Sequence, residues 1–203
     1  LVDVGRTILP FRRELDKRYA PYQKLSVGLA IAVARHLGVV RATITKVLKK
    51  AKPLSGRLET VGRVGGVTFI NDTTATNPGS ATAALNALSK KYRSIVLIAG
   101  GAAKKLPSAD FAKAITKFAK AVIFLPGSAT PEIKAKVKSQ KSKVIVRNAK
   151  SMREAVKTAY ALADRGDAVL LSPGAASFGL FQNEFDRGEQ FVRAVKKITS
   201  HKR

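Results

Sequence analysis

The chain has 203 residues, long enough for one or two domains with real cores, and its 45% hydrophobic content excludes a disordered segment. The absence of cysteine excludes a disulfide framework and thiolate zinc sites and fits a reducing, cytoplasmic setting. Its net charge of +25 invites a nucleic-acid reading, but the Lys and Arg are spread over the whole chain, 12 up to residue 52 and 26 beyond it, with no RNP-like aromatics, zinc finger or basic heptad. A lysine-rich solvated surface is the reading adopted, and no specific nucleic-acid partner is expected.

The longest apolar runs, such as Val27 to Ala34, are too short to span a bilayer, and no signal-peptide pattern is visible. The chain opens on Leu1 rather than methionine and is expected to be a piece of something longer. Residues 1 to 22 show little periodicity, and their elements are left undetermined as a lead-in. Leu25 to Leu37 forms a helix closed by Gly38, and a second helix follows from Arg41 to Lys50 with Ile44, Val47 and Leu48 at helical spacing. His36 complements the first helix's dipole rather than binding metal, and His201 lies in a basic tail. No metal site is expected.

Lys52-Pro53-Leu54-Ser55-Gly56 reads as a linker. Beyond it, Leu58 to Val64 and Val67 to Ile70 flank Gly65-Gly66, a hairpin signal. Helices at Ser80 to Ser89, Ser108 to Lys120, Thr130 to Lys138, Ser151 to Ala163 and Glu184 to Ile198 then alternate with strands at Ser94 to Ala99, Ala121 to Leu125, Lys143 to Arg147 and Ala168 to Ser172. The strands Ile95-Val96-Leu97-Ile98, Val122-Ile123-Phe124-Leu125 and Val169-Leu170-Leu171 are nearly continuous apolar runs, as in a sheet buried on both faces. The fold class expected is α/β: a mostly parallel, Rossmann-like sheet flanked by helices, preceded by a small helical segment.

Ligands in such sheets collect beyond the carboxyl ends of the strands. Four loops lie there: Asp72 to Asn77, with Pro78 opening the next helix; Gly100-Gly101-Ala102-Ala103-Lys104-Lys105; Pro126-Gly127-Ser128; and Ser172-Pro173-Gly174-Ala175-Ala176-Ser177-Phe178. Small residues admit a ligand to the backbone, lysine offers a point charge and Ser and Thr offer hydroxyls. Together they describe a pocket for a small anion. There is no G-x-x-x-x-G-K-[ST] phosphate loop and no G-x-S-x-G elbow, and Gly100-Gly101 lacks the third glycine and the acidic residue of a dinucleotide site.

With these loops the chain resembles the Mur ligases, in particular their D-glutamate-adding branch. The resemblance is carried by Gly56-Arg57-Leu58-Glu59, by Phe69 to Pro78, by Leu97-Ile98-Ala99-Gly100-Gly101, and by Leu170 to Phe178 continuing through Phe181 to Gly188, and it covers nearly all of residues 53 to 203. It implies that residues 1–52 are the end of a central ATPase domain and residues 53–203 the carboxyl-terminal, amino-acid-binding domain of a monomeric cytoplasmic enzyme of peptidoglycan synthesis, important for cell shape and division. Such an enzyme uses ATP and Mg2+, held mainly by the central domain, to phosphorylate UDP-N-acetylmuramoyl-L-alanine. The amine of D-glutamate then attacks the acyl phosphate.

Carried over by position, the resemblance implies that Arg57 and Asp72 contact ATP, and that Thr76, Lys104 and Ser177 hold D-glutamate with Phe178 packing beside it. Lys105 could replace Lys104. No catalytic residue is expected within the chain, and the piece would be inactive alone. The sequence departs from the family at Thr74, where lysine is common, at Ala102 or Ala103, where an acid is common, and at Glu184, where an aromatic is usual. The central-domain signature H-N-x-x-N is replaced by Tyr22-Gln23-Lys24-Leu25-Ser26-Val27. That loss leaves a second expectation open, a non-catalytic Mur-like domain kept for binding or regulation.

Overall fold

The computed structural model describes residues 3–16, 19, 21–51 and 54–200. Lys52 and Pro53 of the expected linker, and His201, lie outside the described residues. The chain divides into two units, Leu1–Leu54 and Ser55–Arg203, each with its own apolar core.

The first unit holds α1 (Val4–Ile8), a 3-10 turn (Leu9–Phe11), α2 (Arg12–Asp16), α3 (Pro21–His36) and α4 (Arg41–Lys50). The lead-in up to residue 22, whose elements the sequence leaves undetermined, is mostly helical over its described residues. Each of α1 and α2 is only five residues long, too short for a 3.6-residue period to show in the sequence. Asp3 caps α1 by accepting from the Arg6 N–H at 3.1 Å, and Phe11 and Leu15 are buried against Ile31, Ile44 and Leu48. Helix α3 starts four residues before the expected Leu25, with Pro21 at a first-turn position that needs no N–H partner. It ends at Gly38, whose φ of 79° lets the Gly38 and Val39 N–H groups return to the carbonyls of Arg35 and Ala34. In α4, Ile44 and Leu48 are buried while Val47 stays exposed.

The second unit begins with the antiparallel hairpin β1 (Glu59–Val64) and β2 (Val67–Asn71). It continues through α5 (Pro78–Ser89), β3 (Ile95–Ala99), α6 (Ala109–Phe118), β4 (Ala119–Phe124), α7 (Thr130–Ser139), β5 (Ile145–Asn148), α8 (Met152–Ala161), β6 (Ala168–Leu171) and α9 (Glu184–Ser200). The sheet order is β1-β2-β6-β3-β4-β5, with every pair parallel except β1 with β2. This is the expected mostly parallel α/β sheet flanked by helices. Alternation of side chains sends Ile70, Leu97, Val122 and Leu170 into one core with α5, α6 and α7, and Phe69, Ile98, Ile123 and Leu171 into the other with α8 and α9.

Chain direction places the loops. From β3 the chain steps outward through β4 to β5, then returns by α8 to insert β6 between β2 and β3. The carboxyl ends of β2, β6 and β3 thereby become neighbours at the point where the strand order reverses, which is where open α/β sheets form crevices.

Candidate functional site

Backbone hydrogen bonds interlock the four loops beyond the strand ends. Ala102 and Ala176 form a two-way bridge, Ala102 N–H to Ala176 carbonyl at 2.9 Å and the reverse at 3.0 Å. The Gly100 N–H donates to Pro173, the Gly174 N–H to Ala75, and the Ala129 N–H to Gly101, at 2.9, 3.0 and 2.9 Å. The Ala103 N–H donates to the Ser128 hydroxyl at 2.9 Å, tying in the loop after β4. Glycine is required where these backbones touch: at Gly101 (φ 141°) a Cβ would lie 2.2 Å from the Ala176 carbonyl oxygen.

On this rim the Lys104 ammonium donates to the Thr76 hydroxyl at 3.0 Å, so the lysine after β3 meets the threonine after β2. Ser177 is buried immediately after the Ala102–Ala176 bridge, whereas Phe178 is 65% exposed. Lys104 and Lys105 both line a shallow recess of about 40 Å³ with Pro78, Ala129, Glu132 and Gly174; Thr76 and Ser177 are not among its walls. That volume is far below the roughly 300–1,000 Å³ of a complete small-molecule site. The rim offers one side of a pocket.

The pair expected to meet ATP divides by exposure. Arg57 is exposed, with its charge close enough to act on Asp72. The Asp72 carboxyl is 3% exposed and turned inward: it accepts from the Ser172 hydroxyl at 2.8 Å and from the Leu58 N–H at 3.1 Å. Burial pushes its pKa up to about 7, against the opposing pull of those two donors and of Arg57. In this geometry Asp72 fastens the start of β1 to the ends of β2 and β6, with the exposed Arg57 side chain nearby. Among the described residues no three acidic or imidazole side chains cluster as a metal site.

Arg187 lies within the Phe181 to Gly188 stretch, and sequence alone assigns it no role. It is completely buried in the first turns of α9, and its guanidinium donates to the Thr73 hydroxyl at 3.1 Å, the Thr73 carbonyl at 2.7 Å and the Ala175 carbonyl at 3.1 Å. Burial lowers its pKa to about 10, so it remains charged at neutral pH. The Thr73 hydroxyl in turn donates to the Glu184 carbonyl at 2.7 Å. One signal for it existed: Arg187, Phe191, Ala194 and Val195 share a helical face, so a charge stands where the apolar period requires a core residue. A glycine at 188 lets the helix come this close, since a Cβ there would lie 2.8 Å from Thr73 Cγ2.

A mostly parallel six-stranded sheet flanked by helices makes this unit a Rossmann-like α/β domain, and sequence comparison resolves its family. The chain belongs to the Mur ligase family: residues 56–174 match the family described as Mur ligase, glutamate ligase domain. Its curated relatives include the UDP-N-acetylmuramoylalanine–D-glutamate ligase of Roseiflexus sp. (strain RS-1), 39% identical over 196 residues, which are 96% of this chain and 41% of that protein. The enzyme of the same name from Desulfitobacterium hafniense (strain Y51) is 40% identical over 195 residues, 95% of this chain and 42% of its own length. The chain thus spans about two-fifths of the length of these relatives.

Solved structures agree on architecture. MurF from Acinetobacter baumannii superposes with a TM-score of 0.65 at 18% identity, covering 88% of this chain and 38% of that one. Mycobacterium tuberculosis folylpolyglutamate synthase complexed with ADP gives 0.62 at 18% identity, covering 92% and 41%. At such identities the likeness concerns the fold alone. No helix among the described residues is long and apolar enough to cross a membrane.

Proposed function

We propose that this chain is the carboxyl-terminal portion of an ATP-dependent ligase that joins D-glutamate to UDP-N-acetylmuramoyl-L-alanine in peptidoglycan synthesis. Residues 1–52 would be the end of its central ATPase domain and residues 53–203 its amino-acid-binding domain. The observation that carries the reading is the Lys104–Thr76 hydrogen bond on the rim that also bears Ser177, in a chain similar over 96% of its length to a D-glutamate ligase.

ATP, with its divalent metal, would supply the phosphoryl group that converts the substrate carboxylate from a poor electrophile into an acyl phosphate. This chain's residues do the positioning. Lys104 offers a point charge to an acidic end of D-glutamate, Thr76 and Ser177 offer hydroxyls, and Phe178 packs beside them, all leaving the amine free to attack. The amine forms the new C–N bond, loses a proton, and phosphate leaves. Arg57 would meet the nucleotide's phosphates, held in place by the inward-facing Asp72 anchor. With only one wall of the pocket on this chain, the isolated piece binds D-glutamate weakly and does not turn over.

The test is ADP release by the complete gene product with ATP, UDP-N-acetylmuramoyl-L-alanine and D-glutamate. Lys104→Ala and Ser177→Ala are each expected to lower kcat/KM for D-glutamate about tenfold or more, the scale of one lost charge-assisted contact. Unchanged turnover in both variants removes these site residues. A second reading, a non-catalytic Mur-like domain for binding or regulation, is favoured by the segment Tyr22 to Val27, which in α3 carries none of the H-N-x-x-N signature. No ADP release by the complete protein under any substrate combination would establish it.

A further inference from the structure

We infer that Arg187 is a positioning residue for the acceptor half-site, setting the distance between the loop that carries Thr76 and the loop that carries Ser177. The inference rests on the D-glutamate reading of those two residues. Three observations support it. First, the guanidinium is fully buried, and every hydrogen bond it makes among the described residues ends on Thr73 or Ala175. Those are the residues three before Thr76 and two before Ser177. Second, among the described residues no carboxylate is within ion-pair distance of it; the Glu184 charge acts on it from further away, and the contacts that hold it directly are carbonyl and hydroxyl dipoles. An apolar side chain of similar size would fill this space without desolvating a charge. Retaining the charge therefore serves geometry: a planar fork engaging two backbone carbonyls and a hydroxyl fixes both loops in one plane, as a flexible ammonium cannot.

Third, the neighbouring contacts make the clamp selective. Asp72 is anchored independently by Ser172 and by the Leu58 N–H, and Lys104 reaches Thr76 from a different loop. Loosening Arg187 therefore frees the segment Thr73 to Thr76 relative to Ala175 to Ser177 and leaves the Asp72–Arg57 side in place. Their remaining direct tie is the 3.0 Å bond from the Gly174 N–H to the Ala75 carbonyl.

The experiment compares Arg187→Met, Arg187→Lys and the milder Thr73→Val in the complete protein, with amide exchange measured in parallel on the 203-residue chain. Expected for Arg187→Met is a KM for D-glutamate raised about tenfold or more, with the KM for ATP within about twofold of the parent, because small misplacement of positioning groups is costly. Arg187→Lys does not restore it, lacking the fork. Thr73→Val, which removes one acceptor, gives a smaller shift in the same direction and decides the matter if Arg187→Met does not fold. Exchange of the Gly174 and Ala176 amides is expected to accelerate about tenfold while the Leu97 and Leu170 amides are unchanged. Parent values of the D-glutamate KM in the folded variants, or KM for both substrates rising together, would overturn the inference. If the parent lacks ligase activity, the D-glutamate reading fails, and the amide exchange still decides whether Arg187 holds the loops.

Discussion

Replacing Asp72 by asparagine should change how stability depends on pH, and the size of the effect follows from the carboxyl's surroundings. Folding raises the group's pKa from an ordinary 3.8 to about 7, chiefly because burial disfavours the charged form. The folded state thus binds the proton more tightly than the unfolded chain. The sign follows directly: with the folded value above the unfolded one, the stabilisation is full below about pH 4 and is lost as pH rises toward and through 7. Over the whole range the loss approaches about 4 kcal/mol at 1.36 kcal/mol per unit of pKa, and between pH 5 and pH 8 it is about 2.5 kcal/mol. A domain's net stability is about 5–15 kcal/mol, so this fraction is measurable. Asparagine does not titrate, and all other groups cancel in the difference between variant and parent. Urea unfolding of both proteins at pH 5 and pH 8, followed by circular dichroism, should show Asp72→Asn gaining about 2.5 kcal/mol relative to the parent as pH rises. The lost Leu58 or Ser172 contact adds a constant offset, so only the change with pH is diagnostic. A gap that stays constant between the two pH values would refute the inward-facing, desolvated carboxyl.

The Lys120 ammonium lies 2.5 Å from the Asp167 carboxylate, which is 1% exposed and has one oxygen without a partner among the described residues. Lys120→Met should therefore destabilise by about 3 kcal/mol, with Lys120→Met/Asp167→Asn recovering part of it in the same unfolding assay. Gly101→Ala forces a Cβ to within 2.2 Å of the Ala176 carbonyl at a positive φ, so it should open the Ala102–Ala176 bridge, seen as faster exchange of the Ala102 and Ala176 amides. Asn77 caps α5 through the Ser80 N–H at 2.9 Å, and Asn77→Ala should cost about 1 kcal/mol by thermal unfolding.

The elements best read from the sequence were those with strong one-dimensional signals. The apolar runs of β3, β4 and β6 announced strands buried on both faces, and Gly65-Gly66 the hairpin that sets β1 antiparallel to β2. The same run-based logic placed the four loops beyond the carboxyl ends. Helices α1 and α2 escaped because each is about one turn long and exists through packing on Ile31 and Leu48 rather than through its own pattern. Strand β5 starts two residues later and ends one residue later than expected because, as the exposed edge, it lacks the continuous apolar run of its neighbours.

What the sequence determined by itself was therefore the class of fold, the order of its elements and the residue types on the rim, since periodicity and turn chemistry are local properties. The tertiary structure decided which loops meet: β6 inserts between β2 and β3, and that long return through α8 brings Thr76, Lys104 and Ser177 to one rim. It also decided that Asp72 faces inward and that Arg187 is a buried clamp. Both depend on contacts between residues about a hundred positions apart, Ser172 with Asp72 and Arg187 with Thr73, and no local pattern records such a pairing.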